Sequence, residues 1–149
     1  MRIIAFIVGL SLMACTNPSK GSKESADASS MSGQIVQTEE KGIYLDIPVT
    51  ELKKQLDVRP SDSYIILDVR TPAEISKGKI AGALEMNFYE NFSEATSNLD
   101  ESKEIFVYCA AGGRSAKASE LLSERGFPKV YNILGGFSAW SSSGYPIQK

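Results

Sequence analysis

Histidine is absent from all 149 residues, and that absence removes more chemistry than any other feature of the chain. The usual zinc sites draw on histidine, and the Ser-His and Cys-His couples that activate many nucleophiles cannot form without it. Neither a metal nor an imidazole base is expected, and no cofactor is called for. An excess of positive charge is missing too: 16 Lys and Arg against 18 Asp and Glu give a formal net charge of −2 and a pI of 5.2. That balance leaves no basic face for nucleic acid. Internal repeats are absent. The apolar run Ile3 to Leu12 falls far short of the ~20 residues that a membrane-spanning helix needs.

Cysteine is scarce, with two in the chain, Cys15 and Cys109. Met1 to Cys15 has the layout of a secretion signal: Arg2 as the positive residue, the apolar run, then small residues. Its end, Leu12-Met13-Ala14-Cys15, resembles a bacterial lipobox, in which the cysteine is lipidated and becomes the mature N-terminus; an ordinary cleaved signal that happens to end near a cysteine is the alternative. The resemblance implies an exported protein, membrane-anchored through lipid on Cys15. Thr16 rather than Asp after that cysteine implies the outer membrane of a bacterial envelope, facing the periplasm. Residues 16–42, rich in Ser, Lys, Glu, Asp and Gly, are expected to be a polar flexible linker, since they cannot bury enough apolar surface to order themselves. With Cys15 lipidated, Cys109 is the one free thiol and no intramolecular disulfide can form. An unpaired thiol kept in an oxidising compartment usually has chemistry to perform.

The remaining residues, 43–149, make one domain with a modest core. Short apolar runs alternate with helical patterns. Strands are expected at Ile43-Tyr44-Leu45 (an edge), Tyr64 to Leu67, Ala83 to Met86, Ile105 to Tyr108 and Val130 to Ile133. Helices are expected at Thr50 to Asp57, at a capping box with proline in the first turn (Thr71-Pro72-Ala73-Glu74), within Phe88 to Leu99, and from Ser115 to Arg125 with Ala118, Leu121 and Leu122 inward. Gly135-Gly136 turns the chain into a short helical stretch over Phe137 to Trp140, whose two aromatic rings are expected in the core. Such alternation argues for an α/β fold, a parallel sheet covered by helices on both faces.

The stretch that carries chemistry is Cys109-Ala110-Ala111-Gly112-Gly113-Arg114-Ser115. It lies between a buried-strand pattern and a helix pattern, so loop N–H groups and the positive helix end can converge on the first loop position. That position holds sulfur. A thiolate there is stabilised, which makes Cys109 a candidate nucleophile; the bland alternative is a buried, inert cysteine. Arg114 is expected to be the cation that meets an anionic donor, since arginine at a helix start opposes the dipole and is mildly unfavourable as structure alone. Lys117 reads as solvated. Asp68 and Arg70, at a strand's C-terminal end, are expected to pair and support the loop, because a free carboxylate beside the thiol would oppose its ionisation.

These residues resemble the rhodanese (thiosulfate sulfurtransferase) family, whose active loop commonly reads Cys-x-x-Gly-x-Arg-Ser: Cys109, Gly112, Arg114 and Ser115 fit it. Leu67-Asp68-Val69-Arg70-Thr71-Pro72 and Gly135-Gly136-Phe137-Ser138-Ala139-Trp140 stand where the family has two further signatures. One segment departs from it: Gly78-Lys79-Ile80-Ala81-Gly82-Ala83 replaces the family's Gly-His-Ile-Pro-Gly-Ala. The resemblance implies a five-stranded sheet with the active loop after the fourth strand. It also implies sulfur transfer through a Cys109 persulfide, from a small anionic donor to a thiol or cyanide; a monomer is expected. Two rivals stand beside it. Cysteine-dependent phosphatases share the Cys-loop-Arg plan but place five residues between Cys and Arg, against four here, Ala110 to Gly113. A non-catalytic module could use the same fold to carry sulfur or bind a partner.

Overall fold

The computed structural model describes residues 42–149. The expected leader 1–15, Cys15 with it, and the linker up to residue 41 lie outside the described residues. Five strands, β1 (Ile43–Pro48), β2 (Tyr64–Asp68), β3 (Leu84–Glu85), β4 (Glu104–Tyr108) and β5 (Lys129–Leu134), form one sheet in the order β1-β5-β4-β2-β3. Every pairing is parallel. Five helices intervene: α1 (Val49–Val58), α2 (Pro72–Ile75), α3 (Phe92–Ala95), α4 (Gly113–Glu124) and α5 (Gly136–Ser142).

The strand periodicity sorts the core. On β4, Ile105 and Val107 face one side with Phe92 of α3 and Ala118 and Leu122 of α4. Phe106 and Tyr108 face the other, with Val49 and Leu52 of α1 and Trp140 of α5. The sheet is therefore covered on both faces, which is why β4 reads as an unbroken apolar run. From β2 the chain steps outward to β3, whereas from β4 it steps the opposite way to β5. The C-terminal ends of β2 and β4 consequently flank a topological switch point, the place where open α/β sheets keep their ligands. Cys109 follows β4 directly.

Several expectations need adjustment. The third strand is only Leu84–Glu85, shorter than the Ala83 to Met86 expected. Helix α4 begins at Gly113, two residues before Ser115, because Gly112 takes the cap. Leu121, expected inward, is 44% exposed. The buried face of α4 runs instead through Ser115, Ala118, Ser119, Leu122 and Ser123, spaced i, i+3, i+4, i+7, i+8, and residue 121 lies off that stripe. Hydropathy favours leucine over serine, but geometry places small serines where the helix approaches the sheet.

Candidate active site

Cys109 sits at the base of the loop and is 2% exposed, while Ala111 and Gly113 at the mouth are exposed. The loop closes on itself because Gly112 adopts φ 108°, ψ −21° as the cap of α4, a conformation L side chains rarely hold. From there the Gly112 N–H donates to Cys109 Sγ at 3.1 Å. Burial acts to raise the thiol pKa. The N–H and hydroxyl of Ser115 and the N–H groups of Ala111 and Gly112 outweigh it, and the net direction is down. This is an anion cradle built of backbone donors.

A second helix holds the cradle in place. The Phe137 N–H donates to the Cys109 carbonyl at 2.7 Å and the Ser138 N–H to the Ala110 carbonyl at 3.0 Å. With its carbonyls drawn toward the start of α5, the loop turns its own N–H groups the other way. Phe137 is partly buried against the core that includes Trp140, in keeping with the packing role expected of both, but the backbone of this turn also holds the loop, a task that the sequence did not announce.

Arg114 has a partner that the sequence did not announce. Its guanidinium makes a two-pronged ion pair with Glu74, at 2.6 and 2.8 Å. The same carboxylate accepts from the Thr71 N–H at 3.0 Å and its hydroxyl at 2.9 Å. Glu74 is thus both the far half of the α2 capping box and the counter-ion of α4's first turn. Its charge offsets the unfavourable meeting of Arg114 with the helix dipole. The hydrogen bonds from Arg114 hold the Glu74 carboxyl down at about 2, and Glu74 in turn raises Arg114. The Tyr89 ring, exposed, lies 5.8 Å from the guanidinium carbon. Lys117 is exposed.

Because the Glu74 pKa is depressed on folding, its contribution is present above the ordinary value near 4.5 and is lost as pH falls from there toward about 2. Glu74→Gln is expected to lower stability at neutral pH by about 1–2 kcal/mol, allowing for partial exposure. Urea unfolding at several pH values should find the gap between variant and wild type closing as the medium acidifies through that window. A gap independent of pH would mean that the pair contributes no ionic stability.

Asp68 and Arg70 come together as expected, with Arg70 Nη2 2.6 Å from Asp68 Oδ2, both side chains buried. Tyr108 donates its hydroxyl hydrogen to the same oxygen at 2.6 Å and accepts the Ile80 N–H at 3.1 Å. Burial and the Asp68 charge push the phenol far up, so it stays protonated. Arg70 also donates to the Gly78 carbonyl at 2.8 Å and lies 4.0 Å over the Phe137 ring. The pair thereby ties β2, the 78–80 segment and the start of α5 together beneath the loop. The segment where Lys79 and Ala81 depart from the family pattern is itself anchored, Lys79 exchanging backbone hydrogen bonds with Gln148 at 2.8 and 2.9 Å. Among the described residues no group of His, Cys, Asp and Glu has the makings of a metal site.

Glu74, Gly136 and Asn132, each structurally joined to the loop, were not singled out by the sequence as parts of the site. Glu74 had a signal, the capping box, which accounted for it locally and drew no further partner.

A family model for a rhodanese-like domain matches residues 48–143. A sulfurtransferase of Allochromatium vinosum is 33% identical over 87 residues, spanning 58% of this chain and 80% of that protein. A protein of Arabidopsis thaliana named thiosulfate sulfurtransferase 16, chloroplastic, is 37% identical over 93 residues, spanning 55% of this chain and 78% of its own. Among solved structures, a rhodanese-like domain from Anabaena superposes with a TM-score of 0.62 at 33% identity, over 69% of this chain and 77% of the other.

Proposed function

Because this chain belongs to the rhodanese-like domain family, we propose that it moves a sulfane sulfur from thiosulfate or a similar donor to a thiol or cyanide. The observation that carries the proposal is the sulfur of Cys109 just past the C-terminal end of β4, with loop N–H groups directed at it and its pKa lowered despite burial. In the first step the Cys109 thiolate attacks the outer sulfur of thiosulfate; the S–S bond breaks and sulfite leaves with its electron pair. In the second, an acceptor thiolate or cyanide attacks the outer sulfur of the persulfide and Cys109 leaves as thiolate. No electrons enter or depart overall and no base is needed once the thiol is ionised, which suits a chain without histidine. The backbone donors stabilise the anionic terminal sulfur. Arg114 supplies a field rather than a free hand, since its fork is held by Glu74.

The test is direct. Wild-type protein incubated with thiosulfate should gain the mass of one sulfur atom, removed by cyanide, and an aryl phosphate run alongside should be hydrolysed negligibly. Competent phosphatase turnover would replace this function with the phosphatase rival, and failure to take up sulfur without such turnover would leave the non-catalytic module.

We further propose that the protein is anchored in a bacterial envelope through lipid on Cys15. Support comes from the lipobox-like Leu12-Met13-Ala14-Cys15; among the described residues no helix is long and apolar enough to cross a membrane. Cys15→Ser is expected to shift the protein from the membrane to the soluble fraction. Continued recovery with membranes would remove the lipid anchor.

A further inference from the structure

Ser115 is fully buried and its hydroxyl has one hydrogen to give, yet three acceptors surround it: Asn132 Oδ1 at 2.6 Å, the Gly112 carbonyl at 3.0 Å and Cys109 Sγ at 3.6 Å. Asn132 is also buried. Its amide nitrogen donates to Asp46 Oδ1 at 2.8 Å, and Asp46 lies exposed on the edge strand β1. That contact fixes which way the amide points. Rolled over, Asn132 would set its oxygen against a carboxylate oxygen, two acceptors with no hydrogen between them. Held as it is, Asn132 presents an acceptor to Ser115 at the shortest of the three distances, and an O–H···O bond of that length outcompetes a longer one to sulfur.

We propose that Asn132, locked by Asp46, is a positioning residue that draws the Ser115 hydroxyl hydrogen away from Cys109 and thereby sets how readily the thiol ionises. A line of hydrogen bonds runs from the protein surface through β5 to the sulfur, and its state is fixed at the surface end. When the thiol proton leaves to water, Ser115 can turn its hydrogen onto the thiolate only by giving up Asn132. The Ser115 hydroxyl therefore lowers the thiol pKa less than it would if its hydrogen went wholly to sulfur. The charged groups around this line are few. Arg114 of α4, paired with Glu74 of α2, acts on the sulfur; the Asp68–Arg70 pair stands at the end of β2 beside Tyr108; Tyr44 of β1 donates to Asp46 at 3.2 Å, and Glu120 of α4 acts on Tyr44. Tyr44 gives its hydroxyl hydrogen to Asp46, and its oxygen accepts in turn from the Asn132 amide, a contact that favours the same orientation of that amide.

This inference rests on Cys109 being the sulfur nucleophile proposed above, but its test needs no sulfur donor. The rate of iodoacetamide alkylation at Cys109, resolved from Cys15 by peptide mass spectrometry in the full-length chain, is followed against pH. Asn132→Leu removes the acceptor. Asp46→Ala removes the lock from a surface position and leaves the core intact, so it serves even if the buried substitution does not fold. Each is expected to lower the alkylation midpoint by about 0.5–1 pH unit, the scale of one net hydrogen bond. In a Ser115→Ala background both shifts should disappear, apart from the plain effect of removing the Asp46 charge. Unchanged or raised midpoints overturn the proposal, and so does a shift that survives undiminished without the Ser115 hydroxyl. If the alkylation shifts occur but thiosulfate adds no sulfur, the positioning role stands and the sulfurtransferase function falls.

Discussion

Cys109→Ser is expected to remove sulfur uptake entirely and to lower turnover by ~10⁴-fold or more, since deleting the nucleophile of a covalent enzyme costs up to about 10⁶. The substitution exchanges one buried atom for a slightly smaller one, so the cradle and the fold should persist. The chemistry should not. Donors that lower a thiol from its ordinary value near 8.5 act on a hydroxyl that begins many units higher and leave it protonated at neutral pH. A serine nucleophile needs a base, and this chain has no histidine to serve as one. Tyr108, the buried phenol next in sequence, is pushed up by burial and Asp68 and offers no phenolate in its place. Thiosulfate incubation followed by intact-mass measurement, with circular dichroism to confirm the fold, decides the point. A Cys109→Ser variant that still turned over would place the nucleophile on another residue and end the persulfide mechanism.

The same absence explains how the site is powered. Without an imidazole, stabilisation of the anionic sulfur comes from peptide N–H groups, and peptides can be aimed only by holding their carbonyls. The Phe137 and Ser138 N–H groups do that from the far side. Arg114, the one obvious cation of the loop, is spoken for by Glu74, so the two helices that begin at residues 72 and 113 are joined across the site. An exposed mouth lined by Ala111 and Gly113 imposes little selectivity of its own.

What the sequence disclosed and what it withheld divide by range of interaction. Strand, loop and helix around Cys109 are local patterns, and so is the Thr71-Pro72-Ala73-Glu74 cap; all four were legible. The parallel sheet with helices on both faces followed from their alternation and is present. The Glu74–Arg114 pair spans forty residues in sequence, and its formation depends on where α2 and α4 fall about the sheet. Asn132 read as one more position in a strand because nothing in Val130 to Ile133 tells which neighbours the register will supply. Leu121 stands outside the buried face for a related reason: hydropathy identifies a residue that prefers burial, but the packed helix buries the stripe through Ser115, Ala118, Ser119, Leu122 and Ser123.

Gly136→Ala is expected to damage stability and turnover together, although the residue lies outside the loop. A Cβ at this position would lie 2.2 Å from the Cys109 carbonyl oxygen and 3.0 Å from the Ala110 carbonyl carbon and oxygen, with the backbone at φ +51°. Every atom it meets is backbone, so no side chain can swing aside. Relief requires α5 to retreat from the loop, and that breaks the hydrogen bonds from Phe137 and Ser138 to those same two carbonyls. Left-handed backbone in a non-glycine residue costs roughly 1–2 kcal/mol and each lost hydrogen bond about 0.5–1.5 kcal/mol, so a loss of roughly 2–5 kcal/mol in urea unfolding is expected. The functional loss follows from the released carbonyls: peptide planes free to rotate no longer aim their N–H groups at sulfur. Removing one such donor elsewhere costs about 10²- to 10³-fold in turnover, and the Cys109 alkylation midpoint should rise with it. Gly144→Ala supplies the control, since Gly144 has φ +69° and open space around its missing Cβ. It should show the backbone cost alone, with turnover and thiol ionisation intact. If Gly136→Ala proved no worse than Gly144→Ala in both stability and turnover, the close approach of α5 to the loop would not be what aims the cradle.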